Sequence, residues 1–120
     1  MGPGVLLFDN EPLQRAIMAL ALRHEGFRVF TASVAAEALY QLATHPEIAV
    51  LVLEAAFGPD APSGFDFVSV ARSIRPELGV IFLTGRHDLL LGRAHGRRER
   101  HLRKPCSVAR LAEALRELTA

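Results

Sequence analysis

Short apolar runs and amphipathic stretches alternate along the chain. "VLLF" (residues 5–8) is an unbroken apolar run that ends at "DNEP". A helix is expected next, with Asn10 as its N-cap and Pro12 in its first turn. Leu13, Ile17, Leu20 and Ala21 recur at i, i+4, i+7 and i+8, which predicts the face turned to the core. Gly26 stops that helix. "FRVFTA" (27–32) predicts a second strand. Ser33 is placed to cap a second helix, with Ala35, Ala38, Leu39 and Leu42 on one face and an end at His45 and Pro46. "IAVLVL" (48–53) predicts a third strand, and a Gly/Pro-rich loop follows over 55–64. A third helix over 65–75 turns Phe67, Ala71 and Ile74 inward and stops at Pro76. "GVIFLT" (79–84) predicts a fourth strand. "DLLLGRAHGRRER" (88–100) gives a weak fourth helix containing two glycines. "RHLR" (100–103) is a short fifth strand, and Ser107 caps a last helix with Val108, Leu111, Ala112, Leu115 and Leu118 on one face.

These are five βα units. Strands without polar alternation, separated by amphipathic helices, imply a parallel sheet covered on both faces. In such α/β sheets the functional crevice lies beyond the carboxyl ends of the strands. Those ends carry Asp9 and Asn10, then Glu54, Thr84 and Lys104. The polar groups therefore converge on one edge, over a single domain (1–120, core about 5–118).

Composition narrows the class. The chain has 120 residues, half of them hydrophobic and 22% charged, with net charge +1; this suits one globular core. The single cysteine, Cys106, has no internal partner, which fits a reducing, cytoplasmic setting. No apolar run approaches the roughly 20 residues of a membrane span. From Arg86 to Lys104 there are seven basic residues against Asp88 and Glu99. A solvated helix face is the plain reading of that run; a surface for an acidic partner or for nucleic acid is the sharper one. No aromatic residues interleave with it, and no recognition-helix motif is present.

Carboxylates and a lysine over one sheet edge form a hard-oxygen cluster. Asp9 and Glu54 are suited to Mg²⁺, which takes a few carboxylates, water and phosphate oxygens. Lys104 is the only lysine among fourteen basic residues, so the one compact ammonium stands at a strand end. No phosphate loop, dinucleotide fingerprint, nucleophile elbow or zinc spacing accompanies it. An enzyme is therefore not expected.

"VLLFDNEP", "VLVLE", "FLTG" and "LRKP", in this order and each at a strand end, resemble the receiver domain of bacterial two-component response regulators. The resemblance spans about 5–118. It implies a flavodoxin-like, doubly wound five-stranded parallel sheet of order 2-1-3-4-5 with helices on both faces. It further implies an acidic pocket at Asp9 and Asn10 that helps to hold Mg²⁺, and a phospho-acceptor position at Glu54. Thr84 and Lys104 would bind the phosphoryl group, Pro105 would follow a cis peptide, and His101 would occupy the aromatic switch position. Partners implied are a histidine kinase or a downstream effector, with a homodimer through the face of the fourth helix, fifth strand and last helix.

Three positions depart from the family pattern. Glu54 stands where an aspartate accepts the phosphoryl group, one methylene longer. Asn10 replaces the second acid, which weakens a metal site. His101 replaces the aromatic switch, and a partly exposed, inert histidine is expected there. Glu54 is expected to reach toward Lys104 and Thr84, either imitating the phosphorylated state or abolishing it. The favoured function is a phosphorylation-independent receiver acting through protein–protein interaction. The alternatives are a working phosphoryl acceptor at Glu54 with weakened Mg²⁺ binding, and nucleic-acid binding through Arg86 to Lys104.

Overall fold

The computed structural model describes residues 2–55, 63–85 and 96–120. Five strands, β1 (Gly4–Phe8), β2 (Arg28–Ala32), β3 (Ile48–Glu54), β4 (Gly79–Thr84) and β5 (Glu99–Arg103), form one sheet of order β2-β1-β3-β4-β5. Every pairing is parallel. The helices are α1 (Pro12–His24), α2 (Ala35–Thr44), α3 (Gly64–Ile74) and α4 (Val108–Thr119). The flavodoxin-like architecture and the strand order are those the resemblance implies. Residues 86–95, which hold most of the predicted fourth helix, lie outside the described residues. Of its remainder, Glu99 and Arg100 belong to β5 instead.

The central strands are apolar throughout because both of their faces are covered. Val5, Leu7, Val50, Val52, Ile81 and Leu83 pack with Leu22 of α1 and Leu111, Leu115 and Leu118 of α4. Leu6, Phe8, Leu51, Leu53, Val80 and Phe82 point the other way, onto Ala38 and Leu42 of α2 and Phe67, Val68 and Ala71 of α3. The two-residue period of a strand divides each run between the two layers.

Several local expectations are corrected. Glu11, not Asn10, caps α1: its carboxylate accepts from the Leu13 and Gln14 amides, with Pro12 opening the helix. Val34 is the N-cap of α2, without a side-chain cap, and Ser33 instead donates its amide to Glu37. Leu13, Ile17 and Leu20 are 60–70% exposed, while Ala19 and Leu22 face inward. The segment "AIMALAL" is apolar around much of its circumference, so periodicity fits more than one face. Ile74 and Ala35 are also exposed, whereas Ser63 and Ser107 cap α3 and α4 through their hydroxyls.

Two glycines sit where the backbone requires them, Gly26 on the amino-end side of the sheet and Gly64 at the carboxyl edge. Gly26 ends the α1 turn with φ of 100°, a left-handed conformation that favours glycine. Gly64 opens α3 against the end of β3: its amide donates to Ala55 O, and a Cβ at Gly64 would collide with the Glu54 carbonyl. At the opposite end of the sheet, Arg75 donates to the carbonyls of Leu42, His45, Pro46 and Ile48, joining α3 to the end of α2 and the start of β3.

Gly64→Ala is expected to destabilise the fold by about 1–3 kcal/mol, because main chain rather than a flexible side chain must move; denaturant melts measure this. Arg72 Nη1 donates to the buried Glu99 Oε1 at 3.0 Å. Arg72→Met therefore removes a charge partner from a buried carboxylate and should cost about 2 kcal/mol by the same measurement.

Candidate functional site

The parallel register brings the strand ends together. Phe8 lies beside Leu53, Glu54 beside Leu83, and Thr84 beside Arg103. Asp9, Glu54, Thr84 and Lys104 therefore stand along one carboxyl edge, as the sequence implies. Asp9 and Thr84 are buried, and Glu54 is partly buried.

Lys104 is fixed from both ends. Its amide donates to Thr84 O at 2.9 Å, so the backbone is tied to the tip of β4. The Lys104–Pro105 peptide is cis, as the resemblance implies. Its ammonium donates to Glu54 Oε1, closing an ion pair whose side chains are 29% and 20% exposed. Opposite charges about 4 Å apart at an effective dielectric near 20 attract by about 4 kcal/mol before desolvation is subtracted. Open surface pairs contribute roughly 1 kcal/mol or less. The extra methylene of Glu54 carries its carboxylate away from the strand tip, toward the ammonium.

Asp9 is held by its own chain. Oδ1 accepts from the Glu11 amide at 2.9 Å, and Oδ2 accepts from Gln14 Nε2 at 2.9 Å. The Asp9 carbonyl accepts from Arg15 Nη1 at 2.7 Å. Glu11 is engaged in capping α1. Asn10 is exposed and lines an apolar cavity of about 400 Å³ between α2 and α3, with Phe8, Val34, Leu39, Phe67 and Val70. Glu54 is thus committed to Lys104, and both Asp9 oxygens already accept hydrogen bonds. Among the described residues no group of three His, Cys, Asp or Glu side chains is arranged to hold a metal ion. As built, this donor set does not fit the Mg²⁺ that the resemblance implies at Asp9, Asn10 and Glu54.

His101 departs from expectation. Its side chain is only 8% exposed, and Nε2 lies 2.8 Å from Glu99 Oε2, donating when that nitrogen carries the proton. The ring meets Phe82 edge to face, with centroids 5.5 Å apart. Glu99 Oε1 pairs with Arg72, whose second nitrogen donates to Leu78 O and Arg98 O. The histidine is therefore packed into the α3 face. Glu99 and Arg72 were not legible as partners; the one available signal is a carboxylate at a strand position facing the core.

The basic segment is largely engaged where it is described. Arg98 donates to Glu77 O and Leu118 O, and Arg100 to Glu117 and to the carbonyls of Arg97 and Glu99. Cys106 lines a groove with Gln14, Met18, Leu83, Lys104 and Pro105. Burial pushes its thiol above the usual range, partly offset by the nearby Arg110 charge. That direction favours the unreactive thiol at neutral pH.

Comparison with known proteins gives a consistent picture. The family model described as the response regulator receiver domain matches residues 5–116. The probable transcriptional regulatory protein TcrX of Mycobacterium tuberculosis is 32% identical over 117 residues, covering 95% of this chain and 48% of that protein. The chain thus spans about half the length of that curated relative. A response regulator receiver domain protein from Clostridium thermocellum matches with a TM-score of 0.81 at 26% identity, covering 98% of this chain and 94% of that one. A CheY-like receiver domain protein from Methanospirillum hungatei shares the fold, with a TM-score of 0.79 at 20% identity over 98% and 93% of the two chains. A family match across nearly the whole chain, on the strand order the family implies, shows that this chain belongs to the response regulator receiver domain family.

Proposed function

We propose that this receiver domain works without phosphorylation, as a cytoplasmic protein-interaction module whose acceptor position is permanently filled. The observation that carries the reading is the ion pair between Glu54 and Lys104. By resemblance, the lysine at this position meets the phosphoryl group of a modified aspartate. Here a carboxylate on a longer arm already meets it, so the lysine is engaged before any phosphodonor arrives. Phosphoryl transfer depends on placing the nucleophilic oxygen in line with the leaving oxygen, with a cation to neutralise the phosphoryl oxygens. A carboxylate drawn to an ammonium, with no cradle for the cation, is poorly placed for that step.

Receiver domains work with histidine kinases and effectors. The surface of this one supports an interaction role. Leu13, Ile17 and Leu20 lie exposed along α1, beside a groove lined by Met18 and Val108. Such apolar contact surface is suited to a protein partner. The engagement of Arg98 and Arg100 with carbonyls and Glu117 favours protein contact over nucleic-acid binding. Among the described residues no helix is long and apolar enough to cross a membrane.

Incubation with acetyl phosphate and Mg²⁺, followed by intact-mass measurement, is expected to leave the chain unmodified. A stable adduct of one phosphoryl mass that disappears in Glu54→Ala would overturn the reading. Lys104→Met strands the Glu54 carboxylate and should lower stability by about 1–2 kcal/mol in denaturant melts. An unchanged melt would show that the ion pair does not hold the edge.

A further inference from the structure

We propose that Gln14 and Arg15 take the place of a divalent cation at Asp9, so that the acceptor atoms of Asp9 are satisfied by the chain itself. This rests on the reading of Glu54 as held by Lys104, and it extends that reading to residues that neither the family resemblance nor the motif at the strand ends assigns. Asp9 offers three acceptor atoms and each has a donor from the chain: the Glu11 amide on Oδ1, Gln14 Nε2 on Oδ2, and Arg15 Nη1 on the main-chain carbonyl. A helical side chain leans toward the N-terminus of its helix. Gln14 and Arg15, in the first turn of α1, therefore reach back over the loop that leaves β1. Gln14 also lines one groove with Lys104.

Charge points the same way. The ammonium of Lys104 and the guanidinium of Arg15 offset two of the three carboxylates of Asp9, Glu11 and Glu54, and the Glu11 carboxylate is held by the Leu13 and Gln14 amides at the helix cap. Mg²⁺ sheds water reluctantly and requires near-octahedral oxygen donors. Entering here, it would have to displace the Gln14 amide from Asp9 and come in beside the two positive charges already placed there. Gln14 is thus a positioning residue: it fixes Asp9 and leaves Lys104 wholly to Glu54.

The test is Mn²⁺ titration of the ¹⁵N-labelled chain, read as paramagnetic broadening of the Asp9, Asn10 and Glu11 amides. The unsubstituted chain should show no selective broadening at these amides in the range where Gln14→Met does. Gln14→Met keeps the side-chain length but removes the donor, and should bind Mn²⁺ about tenfold or more tightly than the unsubstituted chain. Arg15→Gln, which removes a charge without touching the carboxylate, should shift affinity in the same direction and carries the test if Gln14→Met loses its native spectrum. Asp9→Asn in the Gln14→Met background should abolish the gain, which a general loosening of the fold would not do. Equal Mn²⁺ affinity in the unsubstituted chain and both single variants would overturn the inference. That result alongside an unphosphorylated chain removes only the roles of Gln14 and Arg15; phosphoryl transfer to Glu54 removes the proposed function itself.

Discussion

A carboxylate at the tip of a strand buried on both faces must find a counter-charge or lose its ionisation. In this domain the counter-charge is Lys104, and much of the carboxyl edge is arranged around that pair. The lysine backbone is bonded to the end of β4, the start of α3 is pressed against the Glu54 carbonyl, and the groove beside the ammonium is walled by Gln14, Leu83 and Pro105. A lysine suits the position better than an arginine does. Its charge is compact and its stem is thin, so it reaches one carboxylate oxygen without the planar width of a guanidinium.

The arginines serve a different purpose. Arg72, Arg75 and Arg98 extend to main-chain carbonyls at helix ends and strand starts, where the backbone presents unpaired acceptors and the helix dipole is negative. A forked donor can satisfy several such carbonyls at once, as Arg75 does for four. Within the arginine-rich run, Arg98 and Arg100 are likewise bonded to the chain itself. The same logic accounts for His101. A polar ring on the α3 face of β5 is tolerated because Glu99 accepts from it, and Glu99 is tolerated because Arg72 meets it.

The departures from the family pattern reinforce one another. A longer acceptor residue reaches the lysine, and a glutamine in α1 holds Asp9. The second acid is an exposed asparagine facing a cavity. The aromatic switch position carries a histidine anchored in the core. At Glu54 and His101 the side chain that stands in the family's position meets a partner within the chain, Lys104 and Glu99 respectively.

The alternation of apolar strands with amphipathic helices was enough to determine a parallel sheet covered on both faces, with its strand ends on one edge, while the strand order came from the family resemblance. Strand-end residues such as Asp9, Glu54, Thr84 and Lys104 were legible for the same reason. So was the pairing of Glu54 with Lys104, opposite charges on one edge; the other partners were not. Which face of α1 turns inward depends on the sheet it covers, and "AIMALAL" offers more than one apolar stripe. Whether Gln14 reaches back to Asp9, whether Glu99 finds Arg72, and whether His101 turns to solvent or to Glu99 are decided by where the elements come to rest against one another. Sequence periodicity fixes the direction of a side chain within its own element, whereas hydrogen bonds and ion pairs are fixed by where the other element comes to rest.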